Sequence, residues 1–143
     1  MSTINQSLKL LMNLAKVQAV ISRRFDRLNM HGIGFSDFMI LYLLQQAPGE
    51  RMRRIDLAEK VGLTASGVTR LLLPLEKRGL VTREANERDA RVSYVVLTAA
   101  GRQLFEDAKE TASSLAKEIV PTDKTKNINA LSEILTTLGG NIT

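Results

Sequence analysis

Two short groups of residues hold most of what this chain offers chemically. Thr64, Ala65, Ser66, Gly67, Thr69 and Arg70 crowd into seven consecutive positions, and Arg88, Asp89 and Arg91 into four further along. The types are small, hydroxylated or basic, so they can approach and hydrogen-bond phosphate oxygens and base edges. Nucleophilic and redox chemistry lack their parts. The chain has one His and no Cys, which removes disulfides, thiol sensing and thiolate metal sites, and leaves no His-dependent triad. No Walker or dinucleotide glycine loop occurs. The expectation is a non-enzyme with no catalytic residue, no metal and no cofactor.

The elements that position the first group can be read from periodicity. Ile55, Leu57, Ala58 and Val61 predict a short amphipathic helix, and Gly62 follows where the chain must turn. Thr64 can cap a second helix that buries Val68, Leu71, Leu72 and Leu75. Small Ala58 suits a close helix crossing, and apolar Leu63 completes a helix-turn-helix pattern. In that motif the second helix enters the DNA major groove with its N-terminal residues at the base edges. An ordinary helical hairpin would share this pattern. Pro74 sits inside the second helix, where it removes a donor and crowds the Arg70 carbonyl, predicting a kink before Gly79 ends the helix.

The second group lies between two β-rich runs, Leu80-Val-Thr-Arg-Glu84 and Val92-Ser-Tyr-Val-Val-Leu97. Two strands joined by the polar loop Ala85-Asn-Glu-Arg-Asp-Ala-Arg91 predict a hairpin wing directly after the recognition-type helix. Glu50 to Arg54 can supply a short first strand, with Arg51, Arg53 and Arg54 either facing phosphate or simply solvated. Helix pair, Asp89-Ala-Arg91 wing and the following Leu97-Thr98-Ala-Ala-Gly101 together resemble the MarR family of bacterial transcription regulators. The resemblance covers nearly the whole chain, and the wing is its most specific part. It implies a homodimer built from the N- and C-terminal helices, and release from DNA by a small-molecule effector. It also implies that Asp89 and Arg91 act together on DNA.

Outside this region the chain is helical. Residues from Ile4 to about Met30 read as one long helix with Arg23, Arg24 and Arg27 near its end; His31-Gly-Ile-Gly34 breaks it, with His31 a surface or loop histidine. Ser36 can cap a nearly apolar helix, Asp37 to Gln46, ended by Pro48-Gly49. Thr98 can cap a long helix with Leu104, Phe105, Ala108, Ala112, Leu115, Ala116 and Ile119 on its buried side. After Pro121, Asp123 or Thr125 starts a last helix through Leu138, stopped by Gly139-Gly140. The fold class expected is mainly α (α+β). Residues 36–98 form a winged helix-turn-helix lobe, and 1–30 with 99–143 the dimerisation helices of one 143-residue domain. The apolar stripes of the terminal helices exceed what the lobe can cover, so a second copy is the natural partner.

Charge supports this division. Of a net +5, residues 50–102 hold eleven Lys or Arg against seven Asp or Glu, leaving nine against eight elsewhere. A basic excess on the helix pair and wing is what a phosphate-binding surface requires. No apolar run suggests a membrane span and the first residues lack signal-peptide character, so the cytoplasm is expected. The function expected is a sequence-specific repressor acting as a homodimer on a near-palindromic operator of double-stranded DNA. The alternative is a winged-helix module for protein contact, without effector response.

Overall fold

The computed structural model describes residues 3–121 and 126–142. Helix α1 (Gln6–Arg24) leads through a 3-10 helix (Asp26–His31) to α2 (Phe35–Gln46), and β1 (Arg51–Arg53) follows. Helices α3 (Arg54–Val61) and α4 (Ala65–Lys77) precede the hairpin β2 (Val81–Ala85) and β3 (Ser93–Leu97). Helices α5 (Ala99–Ile119) and α6 (Ile128–Thr137) complete the chain. The sheet is antiparallel in the order β1-β3-β2, with Arg53 opposite Tyr94 and Val81 opposite Leu97.

One core serves all of these except α6, with α1 reaching it only through half-buried Ile21. Ile40, Leu41, Leu43 and Leu44 of α2 lie at its centre, beside Leu57, Ala58, Val68, Leu72 and Leu75 from the helix pair. Val95 and Leu97 of β3, and Phe105, Ala108, Ala112 and Leu115 of α5, close it. Phe38 stacks on Phe105 with ring centroids 5.0 Å apart. Neither α1 nor α6 has a single buried residue.

Several sequence expectations need correction. The first helix does not run to Met30: Phe25 is buried and stacks on Phe35 at 4.1 Å, and Leu28 is fully buried. With both side chains in the core, the chain continues as a tighter 3-10 helix over Asp26–His31 rather than as α-helix. Helix α2 is capped at Gly34 rather than Ser36, since the Asp37 carboxylate accepts the Gly34 N–H at 2.9 Å. Ile55 is 64% exposed. It lies roughly 110° round α3 from the centre of the Leu57, Ala58 and Val61 face, at about 100° per residue. Leu63 is exposed too, and Leu71 only half-buried. On α5, Ala116 is exposed, while Leu104 and Ile119 are half-buried. The start expected for the last helix, Asp123 or Thr125, lies outside the described residues; its end before Gly139 is as read.

Other expectations hold. Gly62 takes φ 72° at the turn, where an L side chain would be strained. Thr64 accepts the Gly67 N–H at 3.0 Å, and Thr98 the Gly101 N–H at 3.0 Å. Helix α4 runs through Pro74 to Lys77.

Gly101 has a separate reason to be glycine. A Cβ there would sit inside the contact radius of the Leu80 carbonyl oxygen and 2.8 Å from Leu97 Cδ1. That carbonyl cannot withdraw, because it accepts both the backbone N–H of Thr98 at 3.1 Å and its hydroxyl at 2.9 Å. Gly101→Ala should therefore destabilise the fold by about 1–3 kcal/mol or more. Urea denaturation checks this, and an unchanged midpoint would mean the junction yields freely.

Candidate nucleic-acid interface

Helix α4 begins where α3 turns at Gly62, and its first turn is capped from within. Thr64 Oγ1 lies 3.2 Å from Ser66 Oγ as well as accepting from Gly67. Thr64, Ala65, Ser66 and Arg70 are exposed. Arg70 makes no side-chain hydrogen bond or ion pair among the described residues. An unpartnered guanidinium on an exposed helix start is available to a phosphate or a guanine edge.

Gly67 and Thr69 differ from the sequence reading, being half-buried rather than exposed. The Thr69 hydroxyl donates to the Ala65 carbonyl at 2.9 Å and accepts from Arg54 Nη1 at 3.0 Å. Thr69 is thus engaged in bracing α4, and Arg54 ties the start of α3 to it. The three arginines leading into α3, Arg51, Arg53 and Arg54, each have a protein partner. Arg51 pairs with Glu84 at 2.6 Å and lies 4.7 Å over the Tyr94 ring; Arg53 pairs with Asp56 at 2.9 Å. The Asp56 carboxylate holds the Arg53 guanidinium's pKa above its usual value. Arg83 of β2 reaches back to Glu76 of α4 at 2.7 Å, fastening the hairpin's base to the helix.

At the hairpin tip, Asp89 and Arg91 form the pair expected. Asp89 Oδ1 accepts the Arg91 backbone N–H at 3.0 Å and its Nε–H at 3.1 Å. The bonds from Arg91 side chain and backbone, in that order, hold the Asp89 carboxyl below its ordinary pKa. Arg88 is exposed beside them. No hydrogen bond or ion pair joins this tip to Arg70 among the described residues. Sequence reasoning missed Asn86, whose Oδ1 accepts the backbone N–H groups of both Arg88 and Asp89. An Asn directly after a strand is the signal that pointed to it, since Asn favours such Asx turns.

Two apolar clefts share Ile21 and Phe35, one between α1 and the lobe and the other among α1, the end of α5 and the start of α6. One, of about 400 Å³, adds Leu14, Val17, Met39 and Leu135; the other, of about 380 Å³, adds Phe25, Ile119 and Val120. His31 is partly buried, its Nε2 3.0 Å from Thr111 Oγ1 of α5. No group of metal-ligating residues occurs among the described residues, and no described helix is long and apolar enough to cross a membrane.

A capped recognition-type helix followed by a three-stranded sheet with a polar hairpin tip defines a winged helix-turn-helix, a DNA-binding class. The model of the MarR family matches residues 36–93. YdgJ of Bacillus subtilis (strain 168), an uncharacterized HTH-type transcriptional regulator, is 30% identical over 99% of this chain and 84% of its own length. The chain belongs to the MarR family and is a DNA-binding transcription regulator. Its fold is similar to that of Sco3205, a MarR family regulator from Streptomyces coelicolor solved in complex with DNA. The match has a TM-score of 0.82 at 21% identity, over 97% of this chain and 90% of that one. It is also similar to the organohalide sensing RdhR-CbdbA1625 regulator in its 2,4-dichlorophenol bound form. There the TM-score is 0.81 at 22% identity, over 95% and 80%. At these identities the structural matches speak for the fold alone.

Because Asp89's folded pKa is depressed, its pair with Arg91 is present above the unfolded carboxylate range, near pH 3.9, and lost as pH falls through the folded value. The pair therefore does not titrate between pH 5 and 8. Carboxyl NMR should give Asp89 a midpoint below that of a model peptide, and Arg91→Ala should raise it. An unshifted midpoint in the unsubstituted protein would mean the pair does not persist in solution.

Proposed function

We propose that this regulator is a homodimeric repressor that reads a near-palindromic operator with α4 and the wing, and that a small apolar effector releases it. The observation that carries the reading is the exposure of Ser66 and unpartnered Arg70 at the start of α4, with Arg91 presented at the wing tip. In this reading Thr64, Ala65, Ser66, Gly67, Thr69 and Arg70 lie at the major groove. Arg88 and Arg91 lie toward the flanking minor groove, with Asp89 orienting Arg91. A narrow A·T-rich minor groove concentrates negative potential and favours an inserted guanidinium.

Dimerisation is supported by the terminal helices. On α1, Leu8, Leu11, Met12 and Val17 are each close to half exposed or more, as are Leu131, Ile134, Leu135 and Leu138 on α6. Two helices without a fully buried residue present an apolar surface that a second copy can cover. Residues 36–98 are then the DNA-binding lobe, and 1–30 with 99–143 the dimerisation region of a single domain. The two clefts at Ile21 and Phe35 supply room for an effector where these regions meet. A relative of this fold binds a dichlorophenol, a ligand of the small, largely apolar kind such clefts would take. Ligand binding there would favour one spacing of the two lobes over another, and so change the fit to two half-sites.

The test is binding to the best duplex recovered from a random-sequence pool. Arg70→Ala should cost about 1–3 kcal/mol and relax specificity at one position if the guanidinium reads a base. A uniform loss with a shallower salt slope would make it a phosphate contact. Arg91→Ala should weaken binding with fold intact, and Asp89→Ala should weaken it too, although deleting a negative charge ought by simple electrostatics to strengthen it. Salt-independent binding, or none, would remove the DNA reading in favour of a protein-contact module.

A further inference from the structure

The Arg91 side chain is 90% exposed, so packing does not set its direction. A series of hydrogen bonds does. Asn86 Oδ1 accepts from the backbone N–H of Arg88 at 2.8 Å and from that of Asp89 at 3.2 Å. Two N–H donors on one atom decide which end of the amide is oxygen. The Asn86 Nδ2 group is thereby turned to the Tyr94 phenolic oxygen, 3.3 Å away. The Asn86 N–H donates to the Val92 carbonyl, and the Val92 N–H to the Asp89 carbonyl, each at 3.0 Å. Tyr94 is itself held: it sits in the central strand β3, opposite Arg53 and Glu84, with Arg51 over its ring. An ordered path thus runs from the sheet through Tyr94 and Asn86 to Asp89, and from Asp89 to the guanidinium of Arg91.

We propose that Asn86, anchored by Tyr94, is a positioning residue for the contact between Arg91 and DNA. It acts through the loop backbone and touches no nucleotide. The proposal rests on the reading that Arg91 meets DNA. Its physical basis is entropy: an arginine on a floppy tip loses rotamer and backbone freedom when it binds. A tip ordered beforehand has already met that cost in folding.

A double-mutant cycle tests this, with the duplex recovered from the random pool as probe at one fixed salt concentration. Thermal unfolding and sedimentation confirm that each variant folds and associates like the unsubstituted protein. Asn86→Ala should weaken binding about three- to tenfold, yet cause no further loss in an Arg91→Ala background. Asn86→Asp keeps an oxygen for the two backbone N–H groups, so it should bind better than Asn86→Ala despite its added negative charge. If Asn86→Ala proves poorly folded, Tyr94→Phe removes a single oxygen and runs the same cycle, with a smaller loss expected. Equal losses with and without Arg91 would overturn the proposal, as would Asn86→Asp binding less well than Asn86→Ala. Those results leave the wing reading intact. If Arg91→Ala alone binds as tightly as the unsubstituted protein, the wing reading falls and this proposal with it.

Discussion

The carbonyl of Leu80 is the point on which the two halves of the structure depend. It lies just past α4, where Leu80 donates its own N–H to the Leu75 carbonyl at 2.9 Å and so closes the helix. Its oxygen then receives both the N–H and the hydroxyl of Thr98, the residue that caps α5. The same hydroxyl proton is shared with the Gly79 carbonyl, at 2.6 Å. One hydroxyl thus joins the end of α4 to the start of the long helix α5. The β2–β3 hairpin is pinned at its root by the same bonds, and Gly101 is what lets α5 come close enough.

A second joint lies at the other side of α4's C-terminus. Arg78 donates to the carbonyl of Gly32 at 2.6 Å and to that of His31 at 3.3 Å. The His31 ring meets Thr111 on α5, and Arg27 of the 3-10 helix pairs with Glu118 at 2.6 Å. Helix α4 is therefore held at its C-terminal end by the turn at His31 and Gly32, while its N-terminal end is left exposed. That division suits a reader whose angle is set from behind. Exposed ion pairs such as Arg27–Glu118 add little stability, with a median near 0–1 kcal/mol, so their contribution here is to geometry.

Much of this was legible in the residues because local chemistry agrees with the fold. Thr64 and Thr98 are cap residues that cap, Gly62 is a turn glycine at positive φ, and the alternation from Val92 to Leu97 is a strand. The candidate site was less legible, for two physical reasons. Periodicity shows which face is apolar but not which partners arrive there, so Ile55 proves exposed and Thr69 half-buried. Ion pairs join residues distant in sequence: Arg51 to Glu84 and Arg102 to Glu50, the latter at 2.8 Å and depressing the Glu50 pKa. Nothing at Arg51 or Glu50 alone announces those partners. The first helix failed differently. Its apolar stripe continues past Arg24, and only the tertiary demand of Phe25 and Leu28 for the core breaks it.

We propose that two copies of this chain present α4 and the wing to adjacent turns of one duplex. Selection of bound sequences from random duplex DNA, with the mass of the resulting complex measured by sedimentation, tests it most directly. The account predicts a near-palindromic motif whose half-site centres lie about 10 bp, or a multiple of that, apart, occupied by two protomers. A single unrepeated motif bound by one protomer, or no enrichment at all, would contradict it.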